Sequence, residues 1–279
     1  MRCRAVLGYT SIVSDFSLEQ HFIRAPNLPV VHGFSTRLGG VSPAPFASLN
    51  LGLSSGDSPE NVAANRQRVL QALGSSAQQA CAFHQVHSAK VVEASASWFE
   101  QEADAAVSNN PELLLIISTA DCLPILFYDP ASGAVGAAHC GWRGTVARIT
   151  SEVITTMQRC YGTDPAQLRM AMGPAISGGC YQVGAEVIDA ARAAGLGSEV
   201  YWPDSEEAEA AAEAVDGQPR FRFDLLAANR ALALAQGVKA SHIWQSSHCT
   251  YRDAELFYSY RRDRGVTGRH WAVVRSRAG

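Results

Sequence analysis

Three short stretches carry side chains able to do chemistry: "FHQVHS" at 83–88, "TADC" at 119–122 and "AAHCGWRGT" at 137–145. They supply imidazoles, thiols and a guanidinium. Three protein ligands with a fourth position left open is the pattern of a catalytic zinc, whereas a structural zinc is usually closed by four. Cys122 precedes the apolar run 123–129 and His139 ends the run 133–139, with "DPASG" between them. If the two runs pair as a hairpin, their outer ends coincide and Cys122 meets His139. A histidine from the first stretch would then complete a His2Cys set. His84 and His87 are three residues apart, so in an extended segment they point to opposite faces unless the chain bends between them. Spacing does not choose between them, and it leaves a plainer reading open: a cysteine beside a buried strand is most often a small hydrophobe.

Arginines are the second theme. In "GFSTRLGGVS" (33–42) Arg37 stands beside Ser35, Thr36 and the pair Gly39–Gly40, whose bared N–H groups suit an anion. Arg143 stands in "GWRG" at a strand-to-helix joint, another anion-binding position. Neither stretch is a P-loop or a G-x-G-x-x-G turn, which excludes nucleotide-phosphate cradles of those kinds. An arginine paired with a surface carboxylate is the alternative for each.

The elements that must position these groups follow from periodicity. Runs 112–118, 123–129 and 133–139 are short, apolar and rich in β-branched and aromatic residues, hence buried strands, the last two forming a hairpin. Val146, Ile149, Val153, Ile154 and Met157 recur at helical spacing until "YGTDP" stops them. Further helices are expected over 184–194 and 224–236, and closing strands in "HIWQSS", "LFYSYRR" and "HWAVVRS". Without strict βαβ alternation, the fold class is α+β with layered mixed β-sheets flanked by helices, and 279 residues fit one domain. The acidic, Ala-rich stretch 205–217 reads as a solvated helix or loop.

A net charge of −3 with 18% charged residues gives no footprint for nucleic acid or a membrane surface, so a small ligand is the expected partner. No run approaches the roughly 18 apolar residues of a membrane span, and no signal peptide is evident; a soluble, cytoplasmic protein is expected. Seven cysteines without a C-x-x-C pair argue against a disulfide framework or a zinc knuckle. The oligomeric state stays open.

The ordered motifs "HGFSTRLGGVS", "SLNLGLSSGDSPENVAANR", "FHQVHSAKVV", "TADCLPILFYD", "AAHCGWRGT", "GPAISGGCYQVG", "HCTYRD" and "FYSYRRD" strongly resemble the YfiH/YlmD family, also called laccase-domain or polyphenol-oxidase-like, over about residues 22–275. The resemblance implies one domain of layered sheets and helices, likened to the cysteine-hydrolase domain of a bacterial toxin. It also implies a metal, usually zinc, on His87, Cys122 and His139, choosing His87 over His84. Those three with Arg143 form the expected catalytic set, and Ser35, Arg37 and Asn50 are expected to bind the co-substrate. Where the family usually has Ala in "HAGWRG", this chain has Cys140, a small-for-small change that adds a thiol near the site.

Three activities come with the resemblance: phenol oxidation with copper, purine nucleoside phosphorolysis with adenosine deamination, and editing of peptidoglycan precursors. A multicopper oxidase needs His-x-His pairs, and none occurs among the eight histidines, although copper on the same His2Cys set could oxidise phenols weakly. The usual nucleobase-deaminase signature, H-x-E with P-C-x-x-C, is also absent. The reading that fits best is a zinc-dependent purine nucleoside phosphorylase acting on adenosine or inosine with phosphate, with adenosine deaminase as side activity. The alternatives are a hydrolase with Cys122 as nucleophile and His139 as base, and a non-catalytic metal-binding accessory protein.

Overall fold

The computed structural model describes residues 16–94, 101–204 and 220–277. The N-terminal stretch and the acidic segment 205–217 therefore lie outside the described residues. A five-stranded sheet runs in the order β1 (Phe22–Ile23), β2 (Val31–Ser35), β14 (His270–Arg275), β6 (Leu114–Thr119), β3 (Ala80–Cys81). A six-stranded sheet runs β13 (Ile243–Gln245), β9 (Arg169–Met172), β7 (Leu123–Tyr128), β8 (Val135–Cys140), β5 (Ala105–Ser108), β4 (Val91–Glu93). Beside them β10 (Gln182–Gly184), β12 (Arg220–Phe223) and β11 (Tyr201–Pro203) form a small third sheet. Parallel and antiparallel pairs are mixed, as expected of layered mixed sheets.

Period-two alternation stacks the layers, because successive side chains of a strand leave opposite faces. Leu115 and Ile117 of β6, Ala272 and Val274 of β14, Leu126 and Tyr128 of β7, and Val135 and Ala137 of β8 share one core between the two large sheets. The alternate residues Leu114, Ile116 and Val273 meet Val69 and Leu70 of α2 (Pro59–Ala72). On the far side Leu123, Ile125, Phe127 and Ala138 meet Ile149, Val153, Ile154 and Met157 of α4 (Ile149–Tyr161), with α5 (Ala185–Ala193) and α6 (Leu225–Ala235) in the same cluster. The order is helix, sheet, sheet, helices. Ser58 before Pro59 and Asp224 before Leu225 cap α2 and α6 through their side-chain oxygens. No helix among the described residues is long and apolar enough to cross a membrane.

The expected hairpin forms, with Leu123 opposite Cys140 and Pro124 opposite His139. The helix expected after "GWRG" is divided in two, α3 (Trp142–Val146) and α4, because Arg148 takes φ 65° at the joint. "LFYSYRR" is not a strand. Its backbone is spent on turns and carboxylates: Phe257 N–H reaches Asp253 O at 3.0 Å, Ser259 N–H reaches Asp263 Oδ2 at 3.4 Å, and Arg261 N–H reaches Asp121 Oδ2 at 2.7 Å.

Between β6 and β7 the chain passes from one large sheet to the other within Ala120, Asp121 and Cys122. So tight a crossing puts Asp121 at φ 89°, and its carboxylate is tied to Thr250 Oγ1 (2.6 Å), Ser259 Oγ (3.0 Å) and Arg261 N–H (2.7 Å). Asp121→Ala leaves these donors without an acceptor and puts at positive φ a residue that tolerates it less well than Asp. It is expected to destabilise the protein by about 3 kcal/mol. Asp121→Asn, which keeps one oxygen and tolerates that conformation, should cost less. Urea midpoints of the two variants check the order.

Candidate active site

In β8, His139 shares the parity of Val135 and Ala137, which puts it on the face between the sheets, at the strand end where the crossing delivers Cys122. The third group arrives on a loop. Val86, His87 and Ser88 turn their N–H groups onto one carboxylate, that of Asp104, at 3.1, 3.0 and 2.7 Å, and the Ser88 hydroxyl joins them at 2.8 Å. Wrapping around that carboxylate puts His87 at φ 60°. This is the bend that allows one histidine of "FHQVHS" to turn inward. His84 lines the same cleft from further out, with Nδ1 3.9 Å from Glu102 Oε1, both side chains exposed. Gln85 pins the segment to β6 by accepting from Ser118 N–H and donating to Ser118 O, each at 2.8 Å.

The donor atoms of His87, Cys122 and His139 lie within 4.8 Å of one another. His139 Nδ1 is 2.8 Å from Asp104 Oδ1. An ionised carboxylate can only accept, so Nδ1 carries the hydrogen and Nε2 is left for a metal or a proton. Gly141 is the residue that makes room: a Cβ there would lie 3.0 Å from Cys122 Sγ and 3.1 Å from His87 Cδ2. Two imidazoles and a thiolate converging around a side-chain-free turn fit a transition-metal ion, with the cleft on the open side.

The electrostatics agree. Burial works against the Asp104 carboxylate, but the bonds from His139 and Ser88 outweigh it and hold its pKa at about 2. Burial also opposes charge on the Cys122 thiol and the His139 ring. Their mutual attraction, with help from Asp104 and His87, overcomes it, drawing Cys122 down to about 6 and raising His139 to about 9. Without metal the pair is a thiolate and an imidazolium over that interval.

Of the other residues singled out in the sequence, Arg37 is held by backbone carbonyls, with Nε on Ala47 O at 2.7 Å and Nη1 on Ala254 O at 3.0 Å, above the Tyr258 ring. Arg143 lies over the adjacent Trp142 ring. Neither guanidinium lines the cleft. Ser35 Oγ accepts from Trp271 N–H at 2.9 Å. Asn50, fully buried, accepts from Gly52 N–H and Arg269 N–H and donates to Ser55 and Asp57, which braces the cleft's lip without facing it. Cys140 leaves β8 on the opposite face to His139 and packs toward Thr150. Cys249 Sγ accepts from Ser177 N–H and Oγ–H at 3.3 and 3.2 Å in a buried turn.

The cleft above the triad has a volume of about 750 Å³. Its cations are Arg66, Arg261 and Arg269, and its aromatic rings Phe83, Tyr181 and Tyr260. Each arginine is fixed twice, by a carbonyl and by a ring: Arg66 on Leu51 O and Trp271, Arg261 on Gln182 O and Tyr181, Arg269 on Thr267 O and Tyr260. Burial lowers Arg66 only to about 10, so it stays charged at neutral pH. The cleft's Asp121 is already engaged by three donors, which leaves the wall electropositive.

Residues 31–277 match the family described as multi-copper polyphenol oxidoreductase laccase. The chain belongs to this family. It is 45% identical over 252 residues to a purine nucleoside phosphorylase of Deinococcus radiodurans, covering 90% of this chain and 91% of that one. It is 36% identical to the purine nucleoside phosphorylase YfiH of Escherichia coli, covering 84% and 89%. The crystal structure of YlmD from Geobacillus stearothermophilus superposes with a TM-score of 0.80 at 34% identity, covering 92% of this chain and 97% of that one.

Two outcomes follow from the triad. Asp104→Asn, which weakens the hold on His139 and on the His87 loop, should lower metal affinity about 10- to 100-fold. Metal binding must displace the His139 proton between pH 9 and 6 and the Cys122 proton as well below 6. From these two groups, affinity should fall about tenfold per pH unit in the first interval and about a hundredfold per unit in the second. Competition titrations with a chelator read both; a flat pH profile contradicts the pairing.

Proposed function

We propose that the chain is a zinc-dependent purine nucleoside phosphorylase, acting on adenosine or inosine and inorganic phosphate, with adenosine deamination as a side activity. One observation carries this reading: a His87–Cys122–His139 triad opens into a cleft walled by three fixed arginines and several aromatic rings. The names of the relatives at 45% and 36% identity support it. Zinc on these three residues would supply a Lewis acid able to polarise an oxygen and activate water near neutral pH.

The chain's own groups supply the rest. Phosphate needs fixed cations, and we assign it to Arg66, Arg261 and Arg269 rather than to Arg37 and Arg143, whose guanidinium groups are elsewhere. The rings of Phe83 and Tyr260 offer faces for a purine. Asp104 keeps the His139 ring in one tautomer and orientation, so the triad does not reorganise when substrate arrives.

A second reading has its own observation. Cys122, His139 and Asp104 form a thiolate–imidazolium–carboxylate series, the arrangement of a cysteine hydrolase.

Purified zinc-loaded protein should convert inosine to hypoxanthine only when phosphate is present, and Cys122→Ala should reduce turnover to background. Phosphate-independent release, or full activity of the variant, contradicts the phosphorylase. Thiol labelling separates the hydrolase: a zinc-bound Cys122 resists alkylation until a chelator is added, whereas a free catalytic thiolate reacts at once.

A further inference from the structure

Tyr181 is the more buried of the two tyrosines that line the cleft. Its backbone is held on both sides, by its N–H on Ser177 O at 3.0 Å and its carbonyl under Phe223 N–H at 3.1 Å. Its ring is covered by the Arg261 guanidinium, whose carbon is 5.1 Å from the ring centre, and Arg261 is in turn bonded to the next residue, Gln182, through its carbonyl at 2.6 Å. Ring and guanidinium therefore form one rigid wall. The hydroxyl has no hydrogen-bond partner among the described residues, although the residue is only partly exposed and lines the cleft with Cys122 and His139. Burial, and next the Cys122 charge, keep the phenol well above its ordinary pKa, so it is a donor at any working pH.

We propose that the Tyr181 hydroxyl donates a hydrogen bond to N7 of the departing purine. The assignment rests on the phosphorylase reading above. In that reaction a phosphate oxygen bonds to C1′ of the ribose while the C1′–N9 bond breaks. The electron pair goes to the purine, and the proton lost by hydrogen phosphate ends on the released base, giving ribose 1-phosphate and hypoxanthine from inosine. Negative charge grows on the imidazole part of the purine as it leaves. Its nitrogen not bonded to ribose is N7, so a fixed neutral donor there binds the transition state better than the ground state. The flanking arginines, fixed by carbonyls and rings, are placed for the phosphate instead.

The test compares two substrates in zinc-loaded wild type and Tyr181→Phe, which keeps the ring under Arg261. With inosine, kcat should fall about 100-fold with little change in KM. With 7-methylinosine, whose base leaves without needing a donor, the variant should match or exceed wild type. Zinc content should stay at the wild-type level. An equal loss on both substrates would show that Tyr181 only shapes the site, and no loss on inosine would remove it from the reaction; either overturns the proposal. Wild type that cleaves neither nucleoside in phosphate overturns the phosphorylase reading, and this assignment with it.

Discussion

The carboxylate of Asp104 is the point on which the site depends. It is fully buried and accepts from three consecutive N–H groups, one hydroxyl and one imidazole. A buried charge without partners would be prohibitively costly, so the sequence around it must supply donors. The donors come from two directions. The 86–88 loop wraps the anion and so acquires the left-handed turn that aims His87; the end of strand β8 gives Nδ1 of His139 and so aims Nε2. Breaking this one group would release both imidazoles at once.

Cys122 is set by a different constraint, the passage between two sheets packed face to face. Three residues must bridge that step, and Asp121 holds them by anchoring the turn to Thr250, Ser259 and Arg261. The same anchor fixes the backbone of Arg261, whose side chain covers Tyr181. The thiolate, a cleft cation and a cleft ring are thus positioned through one carboxylate. Two buried aspartates on either side of the triad provide its rigidity, while three arginines in the walls keep the space above it attractive to an anion.

The layers were legible in the chain because both faces of β6 and β7 are buried and "DPASG" marks the hairpin turn. That turn brings together the strand ends that carry Cys122 and His139. His87 could not be separated from His84 by spacing, since what turns it inward is a carboxylate 17 positions away; the family resemblance made the choice. Asp104 itself left almost no signal, since it follows Glu100 and Glu102 as the last of three alternating acids ahead of a short apolar strand. The glycine turn around Arg37 read as an anion nest, but carbonyls of Ala47 and Ala254, distant or unremarkable in sequence, satisfy that guanidinium. Arg66, Arg261 and Arg269 look like any surface arginine until folding brings a helix, a turn and a strand entrance around one cleft. "LFYSYRR" has strand composition, yet Asp121 and Asp263 capture its N–H groups and it folds as turns.

Two imidazoles and one thiolate converge where a single metal ion would sit. Zinc-edge X-ray absorption on protein purified without added metal tests this assignment most directly. The protein should carry close to one zinc per chain, with one sulfur at about 2.3 Å and nitrogen ligands at about 2.0 Å. A zinc shell without sulfur, or protein that carries no transition metal and takes up none, would contradict it.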